Sequence, residues 1–124
     1  MTLAAWMVLI AALLPYATVA AVKWTDPTYD NHDPRGWAAR ALGWRARLLA
    51  AHQNGFEVFP FFAAAVALAQ QMGGDQEWIN DLAVGFIVAR LGYTACYALD
   101  RPSLRSPVWG VGFLCAAGIL LTAA

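Results

Sequence analysis

The chain has 124 residues, of which 60% are hydrophobic and 13% charged, against roughly 25% charged in an ordinary soluble domain. Eight basic and eight acidic side chains cannot cover a small soluble protein that must also bury six Trp, six Phe and four Tyr, so the soluble class is excluded, and the hydrophobicity excludes disorder. The formal net charge of zero excludes a general nucleic-acid binder, which needs a basic surplus to neutralise phosphates; an integral membrane protein remains.

The first element is a charge-free run from Met1 to Val22, long enough at ~1.5 Å per residue to cross a bilayer. It has no basic region before it and exceeds the apolar core of a usual signal peptide, so it is expected to stay as a span. Asp33-Pro34 then reads as an N-cap followed by proline at the first helical position. Nothing stops that helix until Gly73-Gly74, which predicts one helix over 34–72, ~58 Å long by the helical rise. Only 55–72 of it is expected inside the membrane, with the first half extended into the cytoplasm and a bend at Pro60, whose ring deprives the Phe56 carbonyl of its partner. Further spans are expected at 78–99 and at 107–123, the last opened by Ser106-Pro107. The expected fold is all-α: one domain over 1–124, an integral membrane four-helix bundle.

Charge sidedness orients it. Lys23, Arg35, Arg40, Arg45 and Arg47 surround the first connection and Arg101 and Arg105 the third, whereas Gly73-Gly74-Asp75-Gln76-Glu77 holds no base. The positive-inside rule places connections one and three in the cytoplasm and both termini outside it. Gly85/Ala89 and Gly112/Ala116 have the small-xxx-small spacing that lets helices approach closely. Cys96 and Cys115 are too few for a disulfide framework and too isolated for a zinc site, and Asn31-His32-Asp33 with His52 is too sparse to hold a metal.

Two ionisable groups, Glu57 and Arg90, fall at membrane depth, where such groups are expensive and functional by default. Glu57 precedes Gly73 by 16 residues and Arg90 follows Trp78 by 12. Both therefore lie ~18–24 Å from the outer surface by the helical rise, and opposite charge at one depth predicts an ion pair. Alone, such a pair would only fix helix register. It has company: Arg40, Arg47, Asn54 and Glu57 recur at intervals of 7, 7 and 3, and Arg90, Tyr93 or Thr94, Tyr97 and Arg101 make a second stripe. The two stripes suggest a polar cleft, open to the cytoplasm, that takes a small charged ligand.

The run Arg47-x6-Asn54-x2-Glu57, within Ala51-His52-Gln53-Asn54-Gly55-Phe56-Glu57-x2-Pro60, resembles the second-helix motif of the MAPEG superfamily, the membrane-associated proteins of eicosanoid and glutathione metabolism. The likeness continues through Arg90-Leu91-Gly92-Tyr93-x3-Tyr97-Ala98 and Leu104-Arg105, and Asp30-Asn31-His32-Asp33-Pro34-Arg35 is similar to a loop of small bacterial members. The resemblance implies a homotrimer in the bacterial inner membrane, binding glutathione as co-substrate between subunits and no metal, with an apolar small molecule or lipid arriving from the bilayer. By position it implies that Arg47, His52, Asn54, Glu57, Arg90, Tyr93 and Tyr97 contact glutathione. Arg105 resembles the arginine that stabilises the thiolate, one residue farther from Tyr97 than in the family; Arg105 could supply the charge to the sulfur and Tyr93 or Tyr97 the hydrogen bond. The implied reaction is thiolate attack on an apolar electrophile or a lipid hydroperoxide.

Many members carry an arginine four residues before the asparagine, where this chain has Ala50; Arg47, Arg45 or Arg35 could stand in for it. The same departure suits a non-catalytic member that binds a lipid or a partner. A small four-helix multidrug transporter would need a carboxylate in the first helix, and Met1 to Val22 has none.

Overall fold

The computed structural model describes residues 1–124, and the chain is helical throughout, without strands. Five helices follow in order: α1 (Leu3–Trp24), α2 (Pro34–Ala39), α3 (Gly43–Gln71), α4 (Gln76–Ala98) and α5 (Pro102–Leu121). Three starts are capped by side chains that satisfy otherwise free N–H groups: Thr2 accepts from Ala5, Asp33 from Gly36, and Asp75 from Glu77 and Trp78.

The expected continuous helix over 34–72 is broken. It starts at Asp33-Pro34 but stops at Ala39, and α3 restarts at Gly43 after an extended Leu42. Gly43 has a φ of +61°, a left-handed conformation that a side chain would disfavour, so this glycine is the pivot that lets α2 swing off the axis of α3. The last helix also departs from expectation. It opens at Pro102, the first proline after the turn at Asp100, and continues through Pro107. Ser106 is the better cap residue, and Arg101 before Pro102 makes no side-chain cap bond, but the earlier proline starts the helix, just after the left-handed Asp100 (φ 54°). Pro15 and Pro60 also lie inside helices without ending them.

Small side chains face inward and large ones outward. The buried core holds Ala4, Ala11, Ala65, Ala69, Ala83 and Ala116 around a few larger groups, chiefly Phe62 and Phe86, whose rings stack 3.9 Å apart. Leu13, Val88 and Leu114 are 55%, 62% and 69% exposed. Apolar bulk on the outside and alanine at the helix contacts is the pattern of helices packed in lipid, where close backbone approach replaces the hydrophobic drive. The two small-xxx-small pairs meet: a Cβ on Gly112 would lie 3.4 Å from that of Ala89, and one on Gly85 would lie 3.2 Å from the Cys115 sulfur. By length and apolarity α1 and α5 qualify as membrane spans.

A polar knot ties one end of the bundle. The Asn80 Oδ1 accepts from the Ala4 N–H and from Gln76 Nε2, while Gln70 Nε2 donates to Thr2 Oγ1 and Gln76 Oε1. Halfway along, α1 rests its Pro15 ring on Gly55 of α3, where a Cβ would come within 2.7 Å of Pro15 Cγ. Proline cannot retreat from that contact. Gly55→Ala is expected to lower thermal stability in detergent, by about 1–3 kcal/mol for overpacking, whereas Gly110→Ala, with nothing within 4 Å, is expected to leave it unchanged or raise it. Equal melting temperatures for the two variants would contradict this account.

Candidate functional site

Four side chains on α4 and α5 form a continuous ladder. The Arg90 guanidinium lies 4.3 Å from the centroid of the Tyr93 ring, Tyr93 meets Tyr97 edge to face at 5.3 Å, and the Arg105 guanidinium lies 4.5 Å from the Tyr97 ring. Helical spacing sets the order, since positions 90, 93 and 97 share one face of α4. The early start of α5 at Pro102 brings Arg105 into its first turns, alongside the end of α4. Each cation rests on the electron-rich face of a tyrosine, and neither makes an ion pair with a carboxylate.

The expected Glu57–Arg90 ion pair does not form. Both residues line one cavity of about 150 Å³ between α3, α4 and α5, together with Phe61, Phe86, Trp109 and Phe113. The three ion pairs of the chain lie elsewhere, at Asp30–His32, Asp33–Arg40 and Asp26–Arg45. Arg90 is 7% exposed and turned toward Tyr93. Glu57 is exposed and accepts from Asn54 Nδ2 at 3.0 Å. That bond orients the Asn54 amide, because only its nitrogen can donate to a carboxylate. It leaves Asn54 Oδ1 buried and without a partner. A buried acceptor in that state calls for a donor, and it sits beside a carboxylate. The pair Asn54–Glu57 is therefore shaped to receive a positively charged N–H group.

Arg47 has partners within the fold. Its Nε donates to the Tyr97 carbonyl at 2.9 Å and an Nη to that of Ala98 at 3.5 Å, so it caps the C-terminal, negative end of α4. His52 Nδ1 donates to the Pro15 carbonyl at 2.7 Å and its ring meets Phe56 edge to face. The stripe through Arg40 is not continuous, because the break at 40–42 takes Arg40 off α3 and pairs it with Asp33 at 3.7 Å. Arg101 likewise falls outside α4, at the cap of α5.

A wider, open groove of about 1010 Å³ runs between α1, α2 and α3. Its charged and polar lining is Lys23, Arg35, His52, Gln53 and Glu57, and much of its wall is alanine, including Ala50. Glu57 thus borders both the groove and the cavity, whereas Tyr93, Tyr97 and Arg105 border neither.

The groove depends on a hub that the sequence reading missed. Asp26 accepts from the Thr28 N–H and hydroxyl and from the Trp37 indole N–H at 2.9 Å, with Arg45 3.8 Å away. Arg45 also donates to the Thr25 carbonyl. Trp37, buried by this bond, holds α2 across the groove. The missed signal is Asp26-Pro27-Thr28, a sequence suited to a turn in which aspartate bonds two residues ahead.

A family model described as the MAPEG family matches residues 3–124. No curated protein and no solved structure matches the chain.

The Thr28 hydrogen bonds, helped by Trp37 and the Arg45 charge, hold the Asp26 carboxyl below the usual aspartate value. A depressed folded value makes the hub's contribution complete above the unfolded aspartate range and lost as pH falls through the lowered folded value. In detergent micelles the Trp37 indole proton resonance is expected to move with a midpoint below the ordinary aspartate range, and Asp26→Asn to abolish that titration. A midpoint at or above the ordinary value would contradict the hub.

Proposed function

The chain belongs to the MAPEG family, and on that premise we propose that it is a membrane-bound enzyme resembling the glutathione transferases of that family. The observation that carries this reading is the ladder: two guanidiniums, each seated on a tyrosine ring and neither paired with a carboxylate. An uncompensated cation at membrane depth, as Arg90 is, needs an anion; Arg105 in the first turn of α5 adds a second cation at the cytoplasmic end, and glutathione brings two carboxylates and an ionisable thiol. It also brings one ammonium, which matches the acceptors Asn54 Oδ1 and Glu57.

In this reading Arg90 takes a carboxylate in fork geometry, and Asn54 and Glu57 hold the ammonium. Arg105 lies near the sulfur and favours its thiolate form, since a free thiol ionises only near pH ~8.5. Tyr93 donates a hydrogen bond to the same sulfur. The thiolate then attacks an apolar electrophile from the bilayer, forming a C–S bond as the leaving group departs as an anion, or attacks the O–O bond of a lipid hydroperoxide, which releases the alcohol and leaves a sulfenic acid that a second glutathione converts to the disulfide and water. Glu57 borders the groove and the cavity and Arg90 the cavity, while Tyr93, Tyr97 and Arg105 border neither. In this reading the complete site joins two copies of the chain in a homotrimer, as the family resemblance implies. All four long helices cross the membrane, with the 25–42 and 99–101 connections on the cytoplasmic side by the positive-inside rule.

A second reading is lipid binding without turnover, favoured by Ala50 and by the aromatic lining of the cavity. Calorimetry on the detergent-purified protein separates the two. Glu57→Gln and Arg90→Ala are each expected to abolish glutathione binding. Arg105→Ala is expected to bind normally and to lose about 10²–10³ in turnover, as for removal of one charge-stabilising donor. Unchanged turnover in Arg105→Ala would remove that assignment, and no wild-type binding at millimolar glutathione would leave the lipid reading.

A further inference from the structure

The proline inside α1 leaves one backbone acceptor short of a donor. Pro15 has no N–H, so it cannot donate to the Ala11 carbonyl four residues back. A second, smaller cavity of about 20 Å³ lies at this gap in the hydrogen-bond ladder, between α1, α3 and α4. Ala11, Pro15 and Thr18 line it from α1, Gly55 from α3 and Arg90 from α4. The carbonyl of Pro15 itself takes the His52 Nδ1 hydrogen, so the neighbouring acceptor is already served from α3.

Arg90 brings donors to the same cavity. It is buried, and its guanidinium carries several N–H groups and no acceptor. The one side-chain hydrogen bond at this residue runs from Thr94 to its backbone carbonyl, and no carboxylate pairs with the guanidinium. The Tyr93 ring, 4.3 Å away, answers the charge but offers the N–H groups no oxygen. Thr18 adds an acceptor. Its hydroxyl hydrogen is spent on the Leu14 carbonyl at 2.9 Å, which leaves lone pairs on Oγ1. Unused donors and two acceptors therefore surround one small space, and no direct bond joins them. A buried water needs roughly 10–15 Å³ and about two to four polar partners, whereas the cavities that stay dry are apolar.

We propose that this cavity is the site of one buried water, which accepts from the Arg90 guanidinium and donates to the Ala11 carbonyl and to Thr18 Oγ1. About three bonds is the usual number for such a water, and a bridge of this kind is nearly as good as a direct hydrogen bond. Thr18 and the gap left by Pro15 are then positioning elements for Arg90. They hold one edge of the guanidinium toward α1 and leave the other to the larger cavity that Arg90 shares with Glu57. Through this residue pair α1 is fastened to α4 by the water, as it is fastened to α3 by the direct bond from His52. The site uses only the chain and solvent, so it stands apart from the glutathione reading.

The test uses the full chain in detergent without added ligand. A structure of the wild type that resolves ordered waters is expected to show one within about 3.2 Å of an Arg90 nitrogen, the Ala11 oxygen and Thr18 Oγ1. In protein labelled with nitrogen-15 arginine, the Arg90 Nε–H resonance, identified by its loss in Arg90→Lys, is expected to give a rotating-frame cross-peak to water. Thr18→Val keeps the side chain's shape and removes the acceptor, and is expected to lose the cross-peak. Thr18→Ser restores a hydroxyl and is expected to keep it, a rescue that a packing role for Thr18 would not produce. A dry cavity, an Arg90 nitrogen bonded directly to the Ala11 carbonyl, or a cross-peak unchanged in Thr18→Val would each overturn the inference. Failure to bind glutathione would overturn the reading above and leave this site standing.

Discussion

Arg47 decides how the two polar helices face each other. Its guanidinium holds the last carbonyls of α4 from a position on α3, so the end of one helix is locked against the first turns of the other. Everything chemically interesting is referred to that contact. Asn54 and Glu57 lie two and three turns farther along α3, while Tyr97, Tyr93 and Arg90 run back along α4 from the clamp. A cation at a helix C-terminus contributes ~0.3–1 kcal/mol at an exposed surface and up to ~2 where partly buried, and Arg47 is half-buried. The closeness of the helices elsewhere is set by size. Alanine and glycine at the crossings permit a close approach but do not choose one sliding position, and Arg47 and the Asn80 knot do.

Much of the fold was legible because its signals are local. Asp33-Pro34 and Gly73-Gly74 mark ends through their own backbone preferences, and the small pairs on α4 and α5 meet because spacing alone puts them on one face. What was not legible depended on competition between signals. Gly43 is one glycine in a helical run and could have been tolerated there, but the pull of Asp26 on the Trp37 indole requires a turn, and Gly43 is where a turn costs least. Pro102 and Pro107 both announce a helix start, and the helix takes the earlier, just after the left-handed Asp100.

The contacts among the candidate residues were less legible than their spacing along the helices. Depth correctly brought Glu57 and Arg90 to one cavity, but equal depth says nothing about azimuth. Each charge found a neutral neighbour nearer than the other, an amide for Glu57 and a tyrosine face for Arg90. Two unpaired charges in one apolar setting are a poorer internal arrangement than a salt bridge and a better receptor for a ligand with both signs. The groove was invisible because it depends on the placement of α2, which depends on the missed turn at Asp26.

The bond from His52 to Pro15 carries one more consequence. A backbone carbonyl can only accept, so Nδ1 must hold a hydrogen. In the neutral ring the other nitrogen, Nε2, is then left with a lone pair on a side chain that lines the groove. A carbonyl of α1, on one side of the groove, thereby chooses the tautomer of a residue on the other. An N–H group passing this face of His52 meets an acceptor.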